Sequence, residues 1–125
     1  MQTEQRFVPI TIFNGKLSPA EALVKHLREH HDLRFTDIAK LLNRDQRGIW
    51  CTYKASQKKE PTHIPLDPHH ILFPVTLFSD RNFSILEHIV IHLREKYGIS
   101  EISKLLNKHP STISTIQTRA RRKQP

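Results

Sequence analysis

Apolar residues recur along this chain at helical spacing in six stretches, and in two further stretches they cluster as in a short strand. Ala20, Leu23, Val24 and Leu27 fall at i, i+3, i+4 and i+7, the stripe of a helix that buries one side. Leu86, Ile89, Val90 and Leu93 repeat that stripe. Each run opens with a capping signal, Ser18-Pro19-Ala20-Glu21 and Ser84-Ile85-Leu86-Glu87, in which a Glu three residues after the Ser can close a capping box. Ile102, Leu105 and Leu106 predict a shorter helix, and Ser103 is small enough for a second helix to cross closely. Asn107 ends it, because Asn tolerates the left-handed conformation of a sharp turn. Ser111 is then expected to cap the next helix, with Pro110 just before it and Ile113 and Ile116 turned back on the first. Phe35 to Leu42 and Gln46 to Ser56 are the matching pair in the first half, where Gly48 costs roughly 1 kcal/mol relative to Ala.

The strand-like runs are Phe7 to Phe13, followed by Asn14-Gly15 as a turn, and Phe73 to Phe78. Both are rich in β-branched and aromatic residues. A lone short strand is unstable, so the two are expected to pair antiparallel with each other. The other reading is that each is an extended arm lying on its own helices.

The two halves are copies. Ile38-Ala39-Lys40-Leu41-Leu42-Asn43-Arg44 aligns with Ile102-Ser103-Lys104-Leu105-Leu106-Asn107-Lys108, His26-Leu27-Arg28-Glu29 with His92-Leu93-Arg94-Glu95, and Pro9 to Phe13 with Pro74 to Phe78. The offset drifts from 65 to 66 to 64 residues, which places two extra residues of the first copy around His31-Asp32. The pattern is a tandem duplication. The fold class expected is mainly α: two tandem three-helix helix-turn-helix units related by a pseudo-two-fold, with a short two-stranded antiparallel ribbon between the repeats. Repeat 1 spans 7–59, a Pro-rich linker 60–71, and repeat 2 with a basic C-terminal tail 72–125. Pro61, Pro65 and Pro68 exclude regular helix from the linker and favour an extended path.

Composition narrows the function classes. Within 125 residues the net charge is +8, and each half carries +4, with 11 basic and 7 acidic side chains in residues 1–60 and 9 and 5 in residues 61–125. Two basic halves suit a polyanion, although such a surface also serves solubility alone. A three-helix unit needs only about 50 residues, and each small core alone would be marginal. No apolar run has the length of a membrane span and no signal peptide opens the chain, so a cytoplasmic, nucleoid-associated location is expected. Cys51 stands alone, which excludes an internal disulfide and fits a reducing compartment.

Nine histidines raise the question of metal. His26 with His30, and His88 with His92, stand at i, i+4, but the further ligands of a stable zinc site have no recognisable spacing. No metal and no cofactor are expected, and the histidines are read as exposed or interface residues. No Gly-rich phosphate loop is present, Cys51 has no evident base and the carboxylates are scattered, so an enzyme is not expected.

The run from Phe35 to Tyr53, and more cleanly that from Ser100 to Arg119, resembles the sigma-factor region 4 type of helix-turn-helix, in a tandem arrangement similar to small prokaryotic DNA-binding proteins. The positions carrying the resemblance are Ala39 and Ser103 as the small residue, Asn43 and Asn107 in the turn, and Ile49 and Ile113 facing inward. It covers about two fifths of each copy, and nothing resembling the remaining sigma regions is present. The implied function is sequence-specific binding of double-stranded DNA by a transcriptional regulator, a single-chain pseudodimer with two recognition helices in successive major grooves. The residues expected at DNA are Arg44, Asp45, Gln46, Arg47, Trp50, Lys54, Lys58 and Lys59 in repeat 1. In repeat 2 they are Lys108, His109, Ser111, Thr112, Ser114, Thr115, Thr118, Arg119, Arg121, Arg122 and Lys123. Trp50, Cys51 and Tyr53 stand where repeat 2 has Ser114, Thr115 and Gln117, so the two halves are expected to read different sequences, or repeat 1 only clamps the backbone. Trp50 has a second reading, in which it belongs to a core or a subunit contact. Two other function classes stay open: a protein-protein interaction module using the Trp50, Cys51, Tyr53 face, and a non-specific binder of RNA or DNA. A homodimer and other transcription components are the further partners considered.

Overall fold

The computed structural model describes residues 6–13, 15, 17–59 and 71–123. The chain is mainly helical with a small two-stranded sheet. Strand β1 (Phe7–Pro9) leads into a 3-10 helix (Ile10–Phe13), then α1 (Pro19–Glu29), α2 (Phe35–Leu42) and α3 (Gln46–Lys59). Strand β2 (Leu72–Pro74), a second 3-10 helix (Val75–Ser79), α4 (Ile85–Arg94), α5 (Ile99–Leu106) and α6 (Pro110–Lys123) follow in the same order.

The strand expectation holds in part. The strands do pair antiparallel with each other, with Phe7 opposite Pro74, Val8 opposite Phe73 and Pro9 opposite Leu72. Each is only three residues long, because the chain turns into a 3-10 helix directly after Pro9 and after Pro74. The backbone bonding runs one residue past each proline, Ile10 donating to the Ile71 carbonyl at 3.1 Å and Val75 to the Arg6 carbonyl at 2.9 Å, before the 3-10 turns end it. The linker over 60–70 and Asn14 of the expected Asn14-Gly15 turn lie outside the described residues.

Local signals set the helix starts and stops. Ser18 and Ser84 both close capping boxes, with Glu21 and Glu87 reaching back to the Ser backbone N–H at 3.0 and 2.9 Å. Asn43 and Asn107 end α2 and α5 with the same left-handed geometry, φ 55° and ψ 48°. The next residue, Arg44 or Lys108, donates its N–H to the carbonyl of Ala39 or Ser103 at 2.9 Å in both cases, the closing bond of a Schellman turn. The cap of α6 differs from expectation. His109 occupies the capping position and accepts the Ser111 N–H on Nδ1 at 3.2 Å, so Pro110 is the first helical residue and Ser111 lies inside the first turn. Asp45 does the same for α3, accepting the Arg47 N–H at 3.1 Å. Helix α3 also continues three residues past Ser56, and Arg119 to Lys123 form the last turns of α6 with Ala120 buried.

The buried apolar side chains make one continuous cluster drawn from both halves. Its centre is aromatic: Phe73 and Phe78, of the second half, lie 6.0 and 6.2 Å from Phe13, of the first. The 3-10 helices cross over, the first packing on α5 and the second on α2, while α1 touches α2, α3 and α4. Asn43 adds a polar tie by donating to the Ser79 carbonyl at 3.3 Å. A half that lends its arm to the other cannot bury its own apolar face alone, so the two halves share a single core.

Burial on α1 extends beyond the predicted stripe. Residues 21–27 of α1 are all buried, including Lys25 and His26. Lys25 satisfies its ammonium on Glu29 at 3.0 Å and on the Gln57 amide oxygen. Tyr53 donates to the same Glu29 carboxylate at 2.9 Å, tying α3 to α1.

Candidate nucleic-acid interface

Helices α3 and α6 are the surface elements on which the sequence concentrates polar and cationic side chains. Each is anchored from below: Ile49 and Ser56 are the buried residues of α3, and Ile113, Ile116 and Ala120 those of α6. The opposite face is open. Gln46, Arg47, Trp50, Cys51, Lys54, Lys58 and Lys59 are exposed on α3, as are Ser111, Thr112, Ser114, Thr115, Thr118, Arg119, Arg121, Arg122 and Lys123 on α6. Arg44 and Lys108 are half-buried in the turns before them, and Asp45 and His109 are exposed at their starts.

Several of these side chains are committed within the chain. Lys59 reaches back to Glu21 at 2.9 Å and Lys123 to Glu87 at 2.7 Å, so both lysines fasten the end of their helix to a capping carboxylate. Burial by itself would raise the two carboxyl groups; the hydrogen bond from the lysine, that from the serine backbone and the lysine charge outweigh it and hold them below the ordinary value. Thr115 and Thr118 donate their hydroxyl protons to the carbonyls of Ser111 and Ser114 at 2.9 and 3.0 Å. What they turn outward is an acceptor oxygen and a methyl group. Asp45 spends its carboxylate on the cap of α3. With the Gln117 amide turned so that its oxygen faces the guanidinium groups, Arg94 and Arg121 donate to it at 3.1 and 3.3 Å.

The face of α3 is a different surface. Trp50 is 49% exposed, which corrects the reading that placed it in the core, and the Lys54 ammonium lies 5.6 Å from its ring centre. Phe35, Gln46, Arg47 and Trp50 line an open groove of about 390 Å³. A neighbouring groove of similar size is bounded by Arg28, Arg34, Phe35, Thr36 and Gln46. The Arg28 guanidinium carbon stands 5.0 Å from the Phe35 ring centre. Sequence reasoning missed Phe35, Arg28 and Arg34, because they sit on α1 and before or at the start of α2, and only the packing of those elements beside α3 brings them to its edge.

The histidines, read from the sequence as exposed or interface residues, divide: His30 and His109 are exposed, whereas two others lie inside. His26 and His88 are buried. The rings of His30 and His31 lie 4.9 and 5.0 Å from that of His26, and His26 Nδ1 has no hydrogen-bond partner among the described residues. Burial, and then the charges of His31 and His30, lower His26 to about 4. His31, beside the Arg6 guanidinium at 3.3 Å, is lowered as well, by burial first and then by Arg6 and His30. His88 is fixed instead by the Asp80 carbonyl at 2.7 Å and the rings of Phe78 and Phe83, and His92 stacks edge-on against Phe73. Among the described residues no cluster of three or more His, Cys, Asp or Glu side chains is placed to hold a metal ion, and no helix is long and apolar enough to cross a membrane.

Comparison with protein-family profiles, curated proteins and solved structures finds no match to this chain.

Proposed function

We propose that the chain is a sequence-specific double-stranded DNA-binding protein, a regulator of transcription built as a single-chain pseudodimer of two helix-turn-helix units. The observation that carries this reading is the pair of fourteen-residue helices α3 and α6, each entered from an Asn turn of identical dihedral angles. In each, an inward Ile leaves a polar or cationic face exposed. An α-helix fits the major groove of B-form DNA, where short side chains reach base edges and basic ones reach phosphate. The net charge of +4 on each half supports two such contacts. Because the faces of α3 and α6 differ, the two half-sites differ, and a spacing near one helical turn, roughly 34 Å, follows if both helices face one side of the duplex.

Selection of bound duplexes from a random library tests this directly. The expected result is a bipartite site with two unlike halves, bound with an affinity that falls with salt at a slope of about −0.9 per neutralised phosphate. Thr115→Arg shifts the preferred bases in one half, whereas Arg122→Ala weakens all duplexes alike. Failure to enrich any sequence, or equal competition by single strands, removes the reading. The exposed Trp50 ring favours one other use of the same surface, contact with a protein partner, and that reading gains if no duplex outcompetes generic polyanions.

A further inference from the structure

We infer that the α3 face recognises the C5-methyl edge of a pyrimidine in the major groove, thymine or 5-methylcytosine, through the groove between Phe35 and Trp50; this rests on the DNA-binding reading and names what one half-site must contain. The two outer faces are chemically unlike at matching positions. Where α6 has Pro110, Ser111, Ser114 and Thr118, α3 has Gln46, Arg47, Trp50 and Lys54, and where α5 begins with Ile99, α2 begins with Phe35. The consequence is a groove with apolar walls, Phe35 and Trp50, and a polar rim, Gln46 and Arg47. Both walls are held. Phe35 lies 5.5 Å from the Tyr53 ring and under the Arg28 guanidinium, and Lys54 stands over the indole.

Charge decides the class of occupant. Arg28, Arg47 and Lys54 surround the two rings, Arg34 is paired with Asp37 at 3.2 Å, and Asp45 accepts the Arg47 N–H on the cap of α3. A cationic rim around an apolar slot suits a polyanion that carries a projecting methyl group. In the major groove the C5-methyl of thymine is the one apolar group that a base pair presents. The same edge of a neighbouring guanine offers O6 and N7, which suit the Arg47 guanidinium, and that of adenine suits the Gln46 amide. Helix α6 has no aromatic groove of this kind; its outward face offers the hydroxyl acceptors and small methyl groups of Thr115 and Thr118 instead.

The test uses the full chain and duplexes carrying the selected site, with each thymine replaced in turn by deoxyuridine and each cytosine by 5-methylcytosine. Replacing one thymine of one half-site by deoxyuridine should weaken binding about fourfold, the factor associated with burying a single methyl group, whereas 5-methylcytosine in place of a cytosine at that methyl site should strengthen binding by a similar factor. Trp50→Ala should bind the thymine and uracil duplexes equally, and Trp50→Phe should keep part of the difference. Trp50 is the single tryptophan, so its fluorescence should change on binding. The inference falls if no replacement discriminates, or if Trp50→Ala keeps the full penalty, while the duplex is still bound with sequence preference. Failure to enrich any duplex removes the function reading itself, a distinct outcome.

Discussion

Acidification should destabilise this protein through His26, well above the range in which carboxylates titrate. In the native chain the His26 imidazole takes a proton only near pH 4, because it is buried against His30 and His31. In the unfolded chain it does so near the ordinary value of 6.5. Between those values the unfolded state binds the extra proton, so the stabilising contribution is complete above the unfolded value and is lost as pH falls towards the native one. Going from about pH 7.5 to about pH 5 therefore costs about 2 kcal/mol from this one residue, and a further loss follows nearer pH 4. For a chain of this size that corresponds to a fall of about 8 °C in Tm. His31, also lowered, adds in the same direction. Glu21 and Glu87, whose carboxyl groups are held low, act only below their ordinary value of 4.5 and stay outside the window. Urea unfolding followed by circular dichroism at the two pH values reads the effect, with His26→Leu as the control that keeps an apolar side chain at the position. The variant should lose most of the pH dependence. If His26→Leu is as acid-sensitive as the parent chain across that window, the buried imidazole is not the cause and its assigned environment is wrong.

Asn107→Ala should cost about 1 kcal/mol, because a Cβ-bearing residue without the Asn amide pays the left-handed penalty at φ 55°, whereas Asn107→Gly should be near neutral; equal costs for the two in thermal unfolding would refute that. Gly48→Ala should stabilise by about 0.5–1 kcal/mol, since the position is inside α3 and a Cβ there meets nothing within 4 Å. A lower Tm for that variant would mean the helix is not formed there. Phe73→Ala should cost about 3–5 kcal/mol and unfold both halves in one transition, because Phe73 is fully buried where the aromatic rings of the two halves meet. Two resolved transitions in calorimetry would show that the core is divided.

The sequence alone determined the six helices and most of their limits, but not the two 3-10 helices that take up most of the runs read as strands. The predicted span of α2, the two Ser-Glu capping boxes and the two Asn turns all rest on contacts within four or five residues, which the order of side chains specifies without help from the rest of the chain. The pairing of the two arms was legible too, since three-residue strands have no stability except with each other. What only the tertiary structure decided is which surface each element meets. The arms cross to the opposite α2 and α5, and outside the α1 stripe Lys25 and His26 are buried, Lys25 bonded to Gln57 of α3 and His26 against the rings of His30 and His31. Lys59 and Lys123, which read as free cations on a helix face, are drawn back to carboxylates 38 and 36 residues away. The aromatic groove on α3 depends on Phe35, brought beside Trp50 by packing rather than by spacing. Periodicity states that a face is apolar or polar, but burial is set by whatever distant segment covers it, and no local pattern contains that information.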